Sequence, residues 1–244
     1  MSLIPQIDIA VLGRQSGLNG IYLARLIESL PSGTPLSLIG HSHGARTVSA
    51  ALHLLGGGDV QGHQWVASPR LGRRIHVVLV AAAIDHQWLD PDGKYGRALS
   101  SAESILNLRN RRDAALGIYP LRRPFSHRAL ARCGWTHVDR RRLGEFGDRL
   151  RELDVTKLIG RGHFWIHYHA HPEIARAIAP NLFFADLQPD QLAGSSPADV
   201  PPAASPLPSA ARRKHLDLNL MRSARRLRKP GVIGGQHGGL GDVN

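Results

Sequence analysis

A serine set between two glycines carries the most specific chemical signal in the sequence. Gly40-His41-Ser42-His43-Gly44 fits the pattern G-x-S-x-G, with an apolar run before it and a helical pattern after it. A sharp turn there would present the Ser42 hydroxyl at the carboxyl end of a strand, and Gly40 and Gly44 would let strand and helix approach closely. The amide of His43, at the start of the helix, would favour a developing oxyanion. The pattern predicts a nucleophilic serine, although a turn without catalytic duty has the same residues.

Strands that alternate with helices must position this serine. The apolar run 75–84 is continuous, as in a strand buried on both faces of a parallel sheet. The other predicted elements are a short extended piece before residue 18, helices over 18–30, 45–55 and 172–178, and strands over 36–39, 104–108 and 153–159. This order predicts an α/β fold with a mostly parallel sheet flanked by helices.

The segment 36–55, LSLIGHSHGARTVSAALHLL, resembles the nucleophile elbow of lipase- and esterase-like α/β-hydrolases. The resemblance extends over roughly residues 17–184, and the elbow is its one sharply diagnostic motif. It implies a Ser-His-Asp triad in which Asp113 follows a later strand and His163 follows the last one. It also implies a serine hydrolase that acts on an ester or related acyl bond of a small molecule and needs no cofactor.

Other residues compete for the two partner roles. Asp85 closes the strongest strand and is the alternative acid, whereas Asp113 also fits a surface carboxylate or a helix cap. His167 and His169 follow His163 closely, and each could be the base or a structural histidine. The sequence leaves both choices open.

The histidines also raise the question of a metal. His163 and His167 are four residues apart, a spacing that can bind zinc on a helix. However, Trp165, Tyr168 and Pro172 disfavour one regular helix, and no glutamate follows the first histidine. We therefore predict no metal site.

The sequence before Ser42 is too short for a complete α/β-hydrolase. Only 41 residues precede Ser42, whereas that family places four strands and an oxyanion loop before the elbow strand. We therefore expect a partial α/β-hydrolase fold without the first strands, and an exposed sheet edge along strand 36–39. Three accounts fit this expectation: a misplaced start site, a decayed enzyme, or a module completed by a partner chain.

The composition limits the class of protein. A chain of 244 residues with 42% hydrophobic residues and a mean hydropathy of −0.19 supports one domain of ordinary size. Its longest apolar run is too short to span a membrane, and Met1 to Ile9 do not resemble a secretory signal, so we expect a cytoplasmic protein. Cys133 is the single cysteine, which excludes an intrachain disulfide and a cysteine-built zinc site.

The charge is concentrated in two segments. The net charge is +12, and the basic residues cluster in 109–142 and 212–229. Residues 185–244 are rich in Pro, Ala and Ser and then basic, which predicts a disordered tail after a domain of residues 1–184.

The sequence is also compatible with two other classes of function. The missing oxyanion loop and the exposed edge would suit a catalytically inactive interaction protein on the same scaffold. The basic tail offers a weak possibility of nucleic-acid binding, because no aromatic residue accompanies its charges.

Overall fold

A four-stranded parallel sheet flanked by helices forms the fold. The computed structural model describes residues 5–64, 72–122, 127–182 and 184, all within one compact unit of the chain. Its strands are β1 (Leu36–His41), β2 (Asp59–Val60), β3 (His63–Gln64), β4 (Ile75–Val80), β5 (Ser104–Arg109) and β6 (Leu150–Asp154). Its α-helices are α1 (Pro5–Ser29), α2 (His43–Leu55), α3 (Ala114–Gly117), α4 (Leu130–Cys133), α5 (His137–Leu143), α6 (Thr156–Ile159), α7 (Trp165–His169) and α8 (Pro172–Ile178). The predicted tail, 185–244, lies outside the described residues.

The main sheet has the strand order β1-β4-β5-β6, and every neighbouring pair in it is parallel. Strands β2 and β3 form a separate antiparallel pair. The carboxyl ends of the four parallel strands therefore lie along one edge of the sheet. The predicted α/β class with a mostly parallel sheet flanked by helices is confirmed.

Strand β4 separates two hydrophobic cores. All six of its residues are buried, as the apolar run predicted. Ile75, Val77 and Leu79 belong to the core that includes residues of α1 and α2, whereas Val78 and Val80 belong to a second core with residues of α6, α7 and α8. Alternate side chains of a strand point to opposite faces, so helices cover the sheet on both sides.

Two predicted elements differ from the structure at their boundaries. Helix α1 begins at Pro5, where an extended piece was expected, and its middle packs on α2: Thr47 donates a hydrogen bond to the carbonyl oxygen of Ser16 at 3.0 Å. The last strand covers Leu150–Asp154, and the end of the predicted strand 153–159 lies in α6. Asp154 ends the strand because its Oδ1 accepts the Thr156 amide at 3.0 Å and so turns the chain.

One further element has the predicted boundaries, whereas strand β4 is shorter than predicted. Helix α8, Pro172–Ile178, has the predicted limits. Strand β4 ends at Val80 instead of residue 84, because Ala81 adopts a φ of 47°, which no strand residue has. Within the described part of the chain, no helix has the length and apolar character needed to cross a bilayer.

Candidate active site

Ser42 occupies a strained turn between β1 and α2. Its φ of 52° and ψ of −118° lie in a region that residues other than glycine rarely adopt. The Ser42 amide donates to the carbonyl oxygen of Val80 at 2.9 Å, and its own carbonyl oxygen accepts from the amides of Ala83 and Ala45 at 3.2 Å each. Such a conformation costs about 1–3 kcal/mol and persists where surrounding contacts fix it. The backbone thus holds the half-buried serine at the carboxyl end of β1.

The two glycines of the pentapeptide have different roles. A Cβ atom on Gly40 would lie 2.7 Å from Cα of Ala45, so only glycine allows β1 to pass this close to α2. A Cβ atom on Gly44 would meet nothing within 4 Å. The expectation that both glycines permit close approach is therefore right for Gly40 and wrong for Gly44.

A chain of hydrogen bonds connects Ser42, His163 and Asp113. Nε2 of His163 lies 3.0 Å from Oγ of Ser42, and Nδ1 of His163 lies 2.9 Å from Oδ2 of Asp113. Since a carboxylate can only accept, Nδ1 carries the proton and Nε2 can accept the hydroxyl proton of Ser42. The three side chains come from segments that follow β1, β5 and β6, at one edge of the sheet.

Asp113 is both a helix cap and the carboxylate partner of His163. Its Oδ1 accepts the Leu116 amide at 2.9 Å and caps α3, while Oδ2 binds His163. It is 0% exposed, so neither oxygen is shared with bulk water. The alternative acid, Asp85, is also buried and accepts a hydrogen bond from the hydroxyl of Tyr119 at 3.0 Å. Of the two candidates, Asp113 has the geometry that orients the imidazole.

The loop that carries His163 is attached at three successive carbonyl oxygens. That of residue 161 accepts the Ala114 amide at 3.3 Å, that of residue 162 accepts Nδ2 of Asn110 at 3.2 Å, and that of His163 accepts Nε2 of His41 at 2.8 Å. The last residue of β1 and two residues that follow β5 thereby fix the main chain at His163 and just before it. Sequence reasoning missed His41 and Asn110, although both are polar residues at the carboxyl ends of strands.

The other histidines of this segment lie on the outer surface. His167 and His169 are both exposed on α7, and the His169 ring stacks on Trp165 with 6.0 Å between centroids. Residues 170 and 171 separate α7 from α8. The histidine-rich segment therefore does not form one regular helix, as its sequence indicated. Within the described residues, no group of three His, Cys, Asp or Glu side chains is placed to hold a metal ion.

The environment beneath the three side chains is apolar. Tyr168 is 1% exposed, and its ring meets His41 edge-on with 6.4 Å between centroids. Burial, with a smaller contribution from the negative charge of Asp113, raises the pKa of Tyr168 to about 12, although the side chain of Asn110 acts in the opposite direction. Electrostatic interactions are stronger in such surroundings than in water. The same holds for the adjacent Asp113 and His163 pair.

The start of α2 faces the turn that carries Ser42. His43 is the first residue of this 13-residue helix, and amides in the first turn of a helix have no partner within the helix. They carry a partial positive charge, which stabilises a negative charge close by. The His43 amide, the predicted oxyanion donor, is one of these first-turn amides and directly follows Ser42 in the chain.

Comparison with known proteins gave no relative. No protein-family model, curated protein or solved structure matches the chain. The site combines a hydroxyl, an imidazole that can accept its proton, and a buried carboxylate that holds the imidazole.

Proposed function

We propose that the chain is a serine hydrolase of esterase or lipase type, built on a partial α/β-hydrolase fold, that cleaves an ester or related acyl bond of a small molecule. The observation that carries the proposal is the hydrogen-bonded series Ser42, His163 and Asp113, with the serine at a φ of 52°. A serine needs such a base and orienting acid to become a nucleophile at neutral pH.

In the first half of the proposed reaction, Oγ of Ser42 attacks the carbonyl carbon of the substrate and its proton passes to Nε2 of His163. The Asp113 carboxylate stabilises the imidazolium through Nδ1. The carbonyl oxygen becomes an oxyanion beside the His43 amide and the start of α2. The tetrahedral intermediate then releases the alcohol, which takes the proton from Nε2, and leaves an acyl group on Ser42.

In the second half, water attacks the acyl-serine and His163 takes a proton from it. Collapse of the second tetrahedral intermediate releases the carboxylic acid and returns the proton to Ser42. The described residues before Ser42 form α1, the turn to β1 and β1 itself, and the oxyanion loop of α/β-hydrolases is not among them. Absence of one oxyanion donor costs about 2.7–4 kcal/mol in comparable enzymes, so we expect slow turnover.

A fluorophosphonate probe tests this proposal, because it labels a serine only when the hydroxyl is activated. We expect the wild-type chain to be labelled and Ser42→Ala to be unlabelled. Ser29→Ala, at an exposed serine at the end of α1, is the matched control and should be labelled as strongly as the wild type. Equal labelling of the Ser42→Ala variant would refute the proposal.

The role of Asp113 is tested by Asp113→Asn. Asparagine keeps an oxygen that can cap α3, but it favours the wrong imidazole tautomer. We expect hydrolysis of p-nitrophenyl acetate to fall by about 10⁴-fold, the effect of this change in serine proteases, with the far-UV circular dichroism unchanged. A loss smaller than tenfold would remove Asp113 from the mechanism.

Two observations favour a second candidate, a catalytically inactive interaction protein on the same scaffold. Strand β1 lies at the end of the sheet order, and such a strand has backbone groups that a partner chain can pair with. The outer surface of α1 also exposes large apolar side chains, among them Tyr22 at 62% and Leu26 at 59%. A well-folded chain that neither reacts with the probe nor hydrolyses esters would favour this function. The proposed nucleic-acid contact through the basic tail involves residues outside the described part of the chain.

A further inference from the structure

Four arginines surround a cavity on the Asp113 side of the site. The cavity has a volume of about 560 Å³ and is lined by Arg111, Arg112, Ala114, Arg132 and Arg161. We call this feature the arginine cleft. Neither Ser42 nor His163 is among its lining residues. Its four guanidinium groups come from three segments: the turn after β5, helix α4 and the loop between α6 and α7.

Most of the positive charge in the arginine cleft is uncompensated. Arg111 forms an ion pair with Asp154 at 2.7 Å. Nη1 of Arg132 donates to the carbonyl oxygen of Asp113 at 3.0 Å, which positions the guanidinium without neutralising it. Among the described residues, no carboxylate lies within ion-pairing distance of Arg112, Arg132 or Arg161. Three cations thus share one concave surface, and their mutual repulsion favours binding of an anion.

The packing of the chain holds the wall of the cleft in place. Two contacts hold Arg111: its amide donates to the Thr156 hydroxyl at 3.0 Å, and its Nε donates to Asp154 at 3.0 Å. Ala114 donates its amide to the carbonyl oxygen of Arg161 at 3.3 Å and so joins two sides of the cleft. A Cβ atom on Gly117 would collide with Nη1 of Arg132, so the glycine leaves space for that guanidinium. These contacts hold Arg111, Arg132 and the backbone of Arg161 on the wall of the cleft, whereas the side chains of Arg112 and Arg161 are exposed.

We propose that the arginine cleft binds a compact, multiply charged phosphate compound. Guanidinium groups present planar pairs of N–H donors that match phosphate oxygens, and several of them around one cavity recognise more than one charge. The volume is in the range of small-molecule sites, about 300–1,000 Å³, and is large enough for a chain of two or three phosphate groups. This chemistry occurs in inorganic polyphosphates and in the phosphate chain of nucleotides. The proposal does not depend on the chemistry of Ser42.

Titration calorimetry of the full chain with inorganic triphosphate tests the proposal. The double variant Arg112→Gln/Arg161→Gln removes two cations of the cleft, and Arg140→Gln/Arg141→Gln removes two exposed cations from α5 as the matched control. We expect the wild type and the control to bind triphosphate equally, and the cleft variant to bind at least about tenfold more weakly. Equal affinities of the cleft variant and the control, or no binding by the wild type, would overturn the proposal.

Two further titrations identify the type of phosphate ligand and test whether paired guanidinium donors recognise it. Adenosine triphosphate is titrated beside inorganic triphosphate: a tighter Kd for the nucleotide indicates a nucleotide site, and similar values indicate a polyphosphate site. The variant Arg112→Lys/Arg161→Lys keeps the charge but loses the paired donors, so we expect affinity between those of the wild type and the glutamine variant. A lysine variant that binds as tightly as the wild type would refute recognition by paired donors.

A measurement without substitutions avoids any effect of the variants on folding. Hydrogen exchange of the wild-type chain is compared with and without triphosphate. We expect slower exchange in peptides that cover residues 111–116, 130–134 and 159–163. Slower exchange confined to the basic segment 212–229 would mean that the tail, and not the cleft, binds the anion.

Discussion

His41 illustrates how a residue outside the predicted triad can control it. Its Nε2 donates to the carbonyl oxygen of His163 at 2.8 Å, and its ring lies 5.5 Å from the His163 ring. It also precedes Ser42 in the chain, so one residue links the segment of the nucleophile to the segment of the base. We regard His41 as a positioning residue for the proposed reaction.

Replacement of His41 tests this role. We expect His41→Ala to lower kcat for p-nitrophenyl acetate by roughly tenfold to a hundredfold, because small displacements of a base have effects of that size, and to leave KM unchanged. His41→Gln, whose amide can donate to the same carbonyl, should restore part of the rate. His63→Ala, at an exposed histidine of β3, is the control. A change in KM alone would argue against positioning.

The junction of β1 and α2 determines the conformation of Ser42. The strand and the helix approach so closely at Gly40 that its missing side chain is a structural requirement, whereas Gly44 lies beside open space. Both glycines belong to the G-x-S-x-G pattern, but the packing of β1 against α2 requires glycine only at position 40.

This contrast predicts opposite outcomes for two similar substitutions. Gly40→Ala forces a methyl group against the backbone of Ala45, and overpacking of this kind costs about 1–3 kcal/mol. Gly44→Ala, in the first turn of α2, should leave the stability unchanged or raise it by up to about 1 kcal/mol, since alanine favours helices. Urea unfolding of both variants measures the difference. Equal free energies of unfolding would contradict this account of the turn.

The ends of β5 and β6 are joined by ionic contacts of Asp154. Its carboxylate lies 3.1 Å from Nη2 of Arg109 and 2.7 Å from Nη2 of Arg111. Partial burial opposes its ionisation, but hydrogen bonds from Thr156, Arg111 and Arg109 outweigh burial and hold the pKa of Asp154 well below its usual range. A carboxyl group whose pKa is lower in the folded state stabilises the fold at neutral pH.

This stabilisation should be lost in acid. The unfolded pKa of an aspartate is about 3.9, so the contribution of Asp154 is complete above that pH and declines as the pH falls towards the lower value of the folded state. We expect Asp154→Asn to reduce the free energy of unfolding by about 1 kcal/mol at pH 7, and the difference from the wild type to shrink below about pH 4. Urea unfolding across this range provides the test. A difference that is constant with pH would exclude an electrostatic origin.

One side of α1 exposes an apolar stripe. Val11, Leu12, Tyr22 and Leu26 are all more than half exposed. At about 100° per residue, these four positions fall within a single arc of roughly 100° around the helix. A stripe of this kind is typical of a surface that contacts another protein.

We therefore expect two copies of the chain to associate through this stripe on α1. Tyr22→Glu/Leu26→Glu places two charges in the stripe and should shift the sedimentation coefficient towards that of a monomer. Ile118→Glu/Leu121→Glu changes two equally exposed apolar residues elsewhere and serves as the control. If the wild type sediments as a monomer at all concentrations, the stripe has no role in self-association.

The sequence alone determined the features that depend on neighbouring residues. The apolar run that became β4, the limits of α8 and the turn at Ser42 were all predictable, because side-chain periodicity and glycine placement act over a few residues. Local chemistry made Ser42 a candidate, and the resemblance of residues 36–55 to a hydrolase elbow made Asp113 and His163 its expected partners. It could not decide between Asp113 and Asp85, since both follow buried strands.

Only the tertiary structure decided between such candidates. Residues 42, 113 and 163 lie far apart in the chain, and the parallel order of the strands places the imidazole of His163 3.0 Å from Ser42 and 2.9 Å from Asp113. The same long-range packing attached the His163 loop to His41 and Asn110, and gathered four arginines around one cavity. These contacts depend on distances between segments that are remote in sequence, and no local pattern carries that information.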